Sequence, residues 1–404
     1  MTAGASDSAL KLLLDPVETE EFFQSHWEKR PLLIQRGNPA WYQQLFNLDS
    51  VDAILTTTDL RQPAFRLVKA GEELAADDYT FDLGWGQSAF AGVADVDKIL
   101  SHYQNGTSIV LQALHRNWPS IATFCRSLEK ILTHSVQANA YLTPRGSQGL
   151  KPHYDTHCVF IVQVSGEKNW KIYGNPLSLP HHSQKHGGEK LDDGLCQMDC
   201  VLKTGDMLYI PRGVVHEALT GESHSLHLTV GVPTTTWVEV CDALLKEATK
   251  QVSFRSSLPL GYVEKEIPSR DIEQFRTHLL EFVQHADVGK MIGEMANKFV
   301  DRSSPSRRGF LSSIEKGSQV QAGQTVHLRA DLIVRVSSTE EEVVLRFEGK
   351  TVSFPLFCQA ALRLIFDAKE RGVETSMLGE LLSEEEALIL LNRLAKEGLF
   401  EPKG

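Results

Sequence analysis

Residues 151–164 read KPHYDTHCVFIVQV, in which titratable side chains lead directly into an apolar, β-branched run. His153 and Asp155 are separated by a single residue. Alternate side chains of a β-strand point to the same face, so on a strand this imidazole and this carboxylate would project together. A bare H-x-D pair arises by chance in many proteins, so the interpretation as two metal ligands depends on a third ligand elsewhere in the chain.

A third ligand is predicted by the segment GDMLYIPRGVVHEA, residues 205–218. In this segment a turn, a short strand and a second turn, Pro-Arg-Gly, come before His216. His216 is therefore expected at the mouth of the predicted barrel. Two histidines and one carboxylate on one face of an octahedral metal leave three positions open, and this set is the facial triad of non-haem Fe(II) oxygenases. We therefore predict that His153, Asp155 and His216 bind Fe(II).

Other metal-ligating side chains lie nearby in the sequence. His157 shares the predicted face of Asp155, and we interpret it as a neighbour of the site rather than a ligand. A zinc site in the following loop is a second possibility, and its candidate residues are His181, His182, His186, Cys196 and Cys200. Their spacing fits no standard zinc pattern, so a solvated loop is the favoured interpretation.

The pattern of apolar, polar and β-branched residues along the chain predicts three domains. Between residues 136 and 232 lie short runs rich in β-branched and aromatic residues, typical of a barrel or sandwich. Helical patterns follow from 237 to 299, and the polar stretch RSSPSRRG (302–309) predicts a linker. After it, short strand patterns are followed by helices predicted at 356–369, 375–382 and 383–397, the last beginning with a capping box of Ser383 and Glu386, and this mix resembles a winged helix. We expect domains at residues 1–235, 236–305 and 306–404.

Composition argues against several classes of protein. The 404 residues carry a net charge of −11, and from residue 310 onward 11 Lys and Arg oppose 15 Asp and Glu, a balance of −4 that disfavours direct DNA binding. No run of about 18 apolar residues predicts a membrane span, and no signal peptide is expected. The six cysteines have no framework spacing, which favours free thiols in the cytoplasm.

These segments resemble the JmjC-type cupin oxygenases and, within them, the ribosomal oxygenase family of ribosomal-protein hydroxylases. The resemblance covers most of the chain and is carried by FQSHWEKRPLLI (23–34), by the sequence from Asn139 to Tyr173, by residues 205–218, by SLHLTVGV (225–232) and by FRSSLPLGY (254–262). It implies an α+β fold class: a double-stranded β-helix (jelly-roll or cupin) catalytic core, a helical dimerisation region that forms a homodimer, and a C-terminal winged helix.

The resemblance also implies a site for 2-oxoglutarate, with O2 as the second co-substrate. Lys168, fifteen residues after His153, stands where the family clamps the distal carboxylate, and a buried carboxylate needs a cationic partner. Asn139 matches a co-substrate contact, since an amide donates hydrogen bonds without adding charge. Ser225 matches a hydroxyl contact. No protein nucleophile is required.

The resemblance implies hydroxylation of a side chain of a protein substrate, with a ribosomal protein as the expected partner. The loop TPRGSQGL (143–150) lies where the family contacts its peptide, but Gly146 stands where relatives of known substrate carry a polar side chain, so arginine and histidine targets both stay open. Three alternatives remain at this point: an N-methyl-lysine demethylase using the same triad, a non-catalytic metal-binding cupin module, and a winged-helix nucleic-acid binder with a cupin sensor.

Overall fold

The computed structural model describes residues 5–85, 88–148, 150–186, 196–303, 309–315, 317, 319–368 and 371–401. Its contacts divide the chain into two units. The first extends to Thr234 and includes Leu328–Asp331, and the second consists of Thr235–His327 and the chain from Leu332 onward. The three domains expected at residues 1–235, 236–305 and 306–404 stay a prediction, and the predicted linker is described only in part, because residues 304–308 lie outside the described residues.

The first unit combines helices with two antiparallel sheets. Its helices are α1 (Ala5–Leu14), α2 (Thr19–Ser25), α3 (Leu48–Thr57), α4 (Val96–Gln104), α5 (Leu114–Asn117) and α6 (Pro119–Leu132). Its strands are β1 (Leu32–Ile34), β2 (Phe65–Lys69), β3 (Glu72–Glu73), β4 (Thr80–Trp85), β5 (Ser88–Ala94), β6 (Ser108–Leu111), β7 (Gln137–Thr143), β8 (Cys158–Ile172), β9 (Met198–Lys203), β10 (Met207–Ile210), β11 (His216–Leu219) and β12 (Ser225–Val232).

The main sheet has the order β1-β10-β8-β12-β7-β6-β2-β3, and β4 pairs with β5 as a separate hairpin. β9 and β11 pair with the second half of β8 and form the second sheet of the barrel. The antiparallel β-helix core is therefore the one that the sequence predicts. None of the described helices is both long and apolar enough to cross a membrane.

Strand alternation separates two faces of the main sheet. On β12, the apolar side chains Leu226, Leu228, Val230 and Val232 pack into the core shared with the N-terminal helices. The intervening residues Ser225, His227, Thr229 and Gly231 therefore face the barrel interior, because successive side chains of a strand point to opposite faces. A smaller apolar cluster that includes Ile161, Trp170, Leu202 and Leu208 fills part of this interior.

Strand β8 is a single strand of fifteen residues, although the polar stretch SGEK (165–168) interrupts its apolar pattern. Its first half pairs with β10 and β12, and its second half pairs with β9 and β11. The change of partners occurs at Gly166, which has a φ of +65°. A Cβ there would lie 1.9 Å from the carbonyl oxygen of His224, so both the conformation and the space require glycine.

The second unit is described by itself. Its elements are α7 (Trp237–Ala248), α8 (Val252–Arg255), α9 (Ser269–His285), α10 (Val288–Arg302), α11 (Phe310–Glu315), β13 (Arg335–Ser338), β14 (Glu342–Phe347), β15 (Lys350–Pro355), α12 (Gln359–Asp367) and α13 (Glu384–Glu397). The three strands form an antiparallel sheet. Ser383 and Glu386 form the predicted capping box of α13. The stretch from Thr375 forms a short 3₁₀ turn rather than the expected longer helix.

Replacing Gly166 with alanine should lower the free energy of unfolding by about 2 kcal/mol or more, since a left-handed alanine must also displace the His224 backbone. Gly174→Ala is the matched control, because no atom lies within 4 Å of a Cβ built there. We expect the control to change stability by no more than about 0.5 kcal/mol in denaturant unfolding. Equal stability of the two variants would contradict the role assigned to Gly166.

Candidate metal centre

Three side chains converge at one end of the barrel. The ligand atoms of His153, Asp155 and His216 all lie within 4.8 Å of one another. His153 Nε2 is 3.9 Å from Asp155 Oδ1, and His216 Nε2 is 3.8 Å from Asp155 Oδ2. These separations are too long for hydrogen bonds and leave a shared space between two imidazole nitrogens and a carboxylate. This donor set fits a divalent metal ion of the non-haem iron type.

The backbone, rather than a common strand, brings the three ligands together. Residues 151–157 precede β8 and contain no strand, so the expectation that His153 and Asp155 project from one strand is wrong. Instead, His153 forms an isolated antiparallel bridge with His216, with N···O distances of 3.1 and 2.8 Å. Asp155 O accepts a hydrogen bond from Gly213 N at 2.9 Å, which ties the remaining ligand to the Pro-Arg-Gly turn.

Each histidine is oriented by its second ring nitrogen. His153 Nδ1 lies 2.8 Å from Lys151 O, and His216 Nδ1 lies 3.0 Å from Val214 O. A carbonyl can only accept, so both Nδ1 atoms carry the proton and both Nε2 lone pairs are available to a metal. Burial, assisted by the neighbouring His153, lowers the pKa of His216 to about 4. His216 is therefore neutral at pH 7 and ready to act as a ligand.

The triad borders a cavity of about 330 Å³ between the two sheets. Side chains from β7, β8, β11 and β12 form most of its wall, and its lining residues are Arg66, Gln137, Asn139, Tyr141, Leu150, His153, Asp155, His157, Ile161, Lys168, Trp170, His216, Glu217, Ala218, His227 and Thr229. The cavity therefore joins the three ligands to Lys168 and Asn139. His157 lines it without belonging to the group of three ligands, as the sequence analysis expected.

Lys168 is the buried cation of this cavity. Its side chain is 4% exposed, and Nζ donates a hydrogen bond to Thr143 Oγ1 at 3.2 Å. Burial lowers the pKa of Lys168 to about 7. A buried ammonium without a carboxylate partner is costly, and an anionic ligand would relieve that cost.

Asn139 and Ser225 differ in their position relative to the cavity. Asn139 lines it, and its Oδ1 accepts a hydrogen bond from Ala113 N at 2.9 Å, which leaves the NH₂ group as the donor. Ser225 is fully buried at the start of β12 and accepts a hydrogen bond from Gln163 Nε2 at 3.0 Å. It is not among the lining residues, so its role as a ligand contact stays a prediction.

Sequence reasoning missed several residues of the wall, among them Tyr141, Trp170 and His227. A signal for two of them was present, since alternation along QANAYLT and SLHLTVGV places their polar residues on one face. For the zinc alternative, no group of metal-ligating side chains among the described residues includes Cys196 or Cys200, although His181 and His182 lie close together, with ring centroids 3.8 Å apart. Residues 187–195 of that loop lie outside the described ranges.

A two-histidine, one-carboxylate centre inside an antiparallel β-helix is the arrangement of a JmjC-type cupin. The family model of the JmjC domain matches residues 111–240, so the chain contains a JmjC domain. About two thirds to three quarters of the chain is similar in sequence to proteins named ribosomal oxygenase 1.

Relatives and solved structures extend this similarity beyond the domain. Ribosomal oxygenase 1 of Gallus gallus is 34% identical over 292 residues, which are 68% of this chain and 46% of the relative. The bifunctional lysine-specific demethylase and histidyl-hydroxylase NO66 of Drosophila mojavensis is 29% identical over 73% of this chain and 35% of its own length. The chain thus spans about half or less of these relatives. The ribosomal oxygenase YcfD of Escherichia coli, solved with cobalt and 2-oxoglutarate, superimposes with a TM-score of 0.52 at 17% identity, covering 96% of this chain and 99% of that one.

Loss of one ligand should remove metal binding. His153→Ala or Asp155→Ala should weaken Mn(II) binding, followed by electron paramagnetic resonance, on the order of 100-fold or more, since even outer partners of metal ligands contribute up to that amount. His157→Ala, a lining residue outside the triad, is the control and should bind Mn(II) as the native chain does. Loss of Mn(II) binding in His157→Ala with retention in Asp155→Ala would refute the triad.

Proposed function

We propose that this chain is an Fe(II)- and 2-oxoglutarate-dependent dioxygenase that hydroxylates a side chain of a protein substrate. The observation that carries the proposal is a facial triad that opens on a cavity containing a buried lysine. The first feature fits Fe(II), and the second fits a small dicarboxylate that reaches from the metal into the barrel.

The residues have separate tasks in this proposal. His153, Asp155 and His216 would hold the iron, Lys168 would bind the distal carboxylate of 2-oxoglutarate, and Asn139 would donate a hydrogen bond to the co-substrate. When bound, iron and 2-oxoglutarate supply the oxidising power, with dioxygen reduced as 2-oxoglutarate loses carbon dioxide to give succinate. The role of Ser225, beside Thr143 in the pairing of β12 with β7, is proposed as a further hydroxyl contact.

The protein itself supplies placement and a dry environment. The indole ring of Trp170 is 5% exposed and covers one side of the path between His216 and Lys168. Neutral His216 presents its lone pair without competing protons at pH 7. A water-excluded wall strengthens the attraction between Lys168 and a carboxylate, because the local dielectric constant is low.

A ribosomal protein is the substrate class that we propose, because the similar proteins are named ribosomal oxygenases. The loop 143–150 is the proposed contact with the substrate peptide. The side chain of Thr220 holds two residues of this loop by hydrogen bonds. Thr220 Oγ1 donates to Pro144 O at 2.6 Å and accepts from Ser147 N at 2.8 Å. The target residue is arginine or histidine.

An N-methyl-lysine demethylase is the second candidate, favoured by the bifunctional name of the NO66 relative. Hydroxylation of an N-methyl group yields an unstable product that releases formaldehyde, whereas hydroxylation of a side-chain carbon yields a stable peptide that is heavier by one oxygen. Formaldehyde release from methylated peptides therefore separates the two activities at the same site.

We also propose a homodimer through the helices of residues 236–305 and a reducing location such as the cytoplasm. Large apolar side chains are exposed in this region, with Trp237 at 72%, Leu260 at 99% and Leu280 at 64% exposure. The six cysteines are free thiols, which supports a reducing compartment. The winged-helix assignment of residues 306–404 stays a prediction, and their negative charge supports a structural or substrate-side role rather than DNA binding.

The proposal is tested by co-substrate turnover. The native chain with Fe(II), ascorbate and a mixture of ribosomal proteins should convert 2-oxoglutarate to succinate, and Asp155→Ala should not, because the iron loses its carboxylate ligand. His102→Ala is an activity control, since His102 lies on α4 and is not among the residues that line the cavity. Absence of turnover by the native chain with every protein substrate would favour the non-catalytic cupin module, and turnover by Asp155→Ala would exclude the triad as the catalytic centre.

The pH dependence of co-substrate binding tests Lys168. Because the pKa of ligand-free Lys168 is about 7, the lysine is charged below that pH and must take up a proton to bind a carboxylate above it. The apparent affinity for 2-oxoglutarate should therefore fall by up to about tenfold per unit as pH rises above 7. Calorimetry of the Mn(II)-loaded chain should detect proton uptake at pH 8. Lys168→Arg, which stays charged, should lose both effects; a pH-independent native affinity would contradict this role.

A further inference from the structure

His227 is a buried histidine of the cavity wall that the proposed mechanism has not used. It lies on the inward face of β12, is 3% exposed and lines the cavity. Within the part of the chain that the structure describes, its Nδ1 has no hydrogen-bond partner. Buried polar atoms are nearly always paired, so an unpaired nitrogen on a residue that lines a ligand cavity points to a partner supplied by the ligand.

Two aromatic rings fix the orientation of His227. Its ring stacks on Tyr141 with a centroid separation of 5.1 Å and an interplanar angle of 3°. The ring of Trp170 meets it edge-on, at 5.4 Å and 82°. A ring held between two others turns little, so Nδ1 has a fixed direction. An apolar ring would pack equally well between Tyr141 and Trp170, and packing therefore gives no reason for a nitrogen at this position.

His227 lies near the end of the cavity that holds Lys168, because it pairs with Tyr141 of β7, two residues before Thr143, and Thr143 Oγ1 accepts the hydrogen bond of Lys168 Nζ. The Trp170 ring lies 6.0 Å from Lys168 Nζ, and its centroid lies 6.0 Å from the ring of His216. Trp170 thus spans the distance between the metal centre and Lys168, with His227 against its edge. Burial and then the positive charge of Lys168 hold the pKa of His227 well below its ordinary value, so His227 is neutral and its Nδ1 can donate only as the Nδ1–H tautomer.

We propose that His227 is a binding residue for the distal carboxylate of 2-oxoglutarate, to which its Nδ1–H donates a hydrogen bond beside the ammonium of Lys168. The inference rests on the proposed function. A carboxylate offers about four lone-pair sites, so one ammonium leaves acceptors unsatisfied in a buried pocket. A neutral donor satisfies one of them without bringing a second buried cation next to Lys168. His227 would therefore help to select a dicarboxylate over a monocarboxylate.

The test removes the proposed hydrogen-bond donor by substituting His227 and, separately, removes the distal carboxylate by replacing 2-oxoglutarate with a monocarboxylate. Calorimetry of the Mn(II)-loaded full chain measures the affinity for 2-oxoglutarate and for 2-oxopentanoate, which keeps the chelating end but lacks the distal carboxylate. His227→Leu should bind 2-oxoglutarate about tenfold more weakly, the effect of one lost buried hydrogen bond, and should bind 2-oxopentanoate as the native chain does. In turnover assays the KM for 2-oxoglutarate should rise while kcat changes little.

Two conservative variants test the same idea if His227→Leu does not fold. The amide nitrogen of His227→Asn can take the place of Nδ1, so this variant should retain native affinity for 2-oxoglutarate. The longer side chain of His227→Gln places its amide near the other ring nitrogen, so it should lose affinity as the leucine variant does. Equal behaviour of Asn and Gln would overturn the proposal.

Other outcomes separate this inference from the proposed function. If His227→Leu weakens both ligands equally, the histidine shapes the cavity rather than binding the distal carboxylate, and the proposal is wrong. It is also wrong if neither affinity changes. If the native Mn(II)-loaded chain binds no 2-oxoglutarate, the proposed function itself fails. The ligand-free unfolding temperature of His227→Leu should not fall below the native value, since the substitution removes an unpaired buried nitrogen, and a purely structural role predicts a fall.

Discussion

The site depends on one short stretch of backbone pairing. The antiparallel bridge between His153 and His216 joins two segments that are far apart in sequence and places their imidazoles with ring centroids 4.7 Å apart. The bond from Gly213 N to Asp155 O then draws the carboxylate to the same point. The three candidate ligands lie on two separate segments that could diverge without these bonds, whereas with them only small movements are needed to bind a metal. The sheets hold these segments in position, because β8 begins directly after residues 151–157 and β10 ends directly before the Pro-Arg-Gly turn.

The interior of the barrel is polar where a cupin needs a ligand and apolar where it needs a core. The inward residues of β7 and β12 include Asn139, Tyr141 and His227, whereas the outward residues of the same strands fill the main core. Burying Lys168 and leaving His227 Nδ1 and Trp170 Nε1 unpaired reduces stability. Such local conflicts with folding rules concentrate at functional sites, and these three side chains line one cavity.

Much of the site was readable from the sequence because its signals are local. The H-x-D pair and the turn-strand-turn before His216 predicted the three residues that converge in the structure, and the resemblance to ribosomal oxygenases pointed to Lys168, which is buried in the same cavity. The capping box of α13 was equally local, since Ser383 and Glu386 are three residues apart. The alternation along β12 predicts that His227 faces the barrel interior. The role proposed for His227 depends on the lack of a hydrogen-bond partner for its Nδ1 among the described residues, which only the three-dimensional structure shows.

What the sequence did not indicate depends on distant contacts. The left-handed conformation of Gly166 makes β8 one strand, and the reason for glycine is the nearby carbonyl of His224, which no periodicity records. The loop position of His153 likewise follows from its pairing with His216. The grouping of Thr235–His327 with the chain from Leu332 onward follows from packing such as that of α10 against α7 and β14, which share no sequence pattern.

Under the proposed function, iron held by His153, Asp155 and His216 would transfer one oxygen atom from dioxygen to a protein side chain. Incubation of the native chain with Fe(II), 2-oxoglutarate and ribosomal proteins under ¹⁸O2, followed by peptide mass spectrometry, measures this directly. We expect one peptide to gain a single ¹⁸O atom on an arginine or histidine, with one succinate formed for each labelled peptide. Succinate formation with no labelled peptide, or a product whose added oxygen comes only from water, would contradict it.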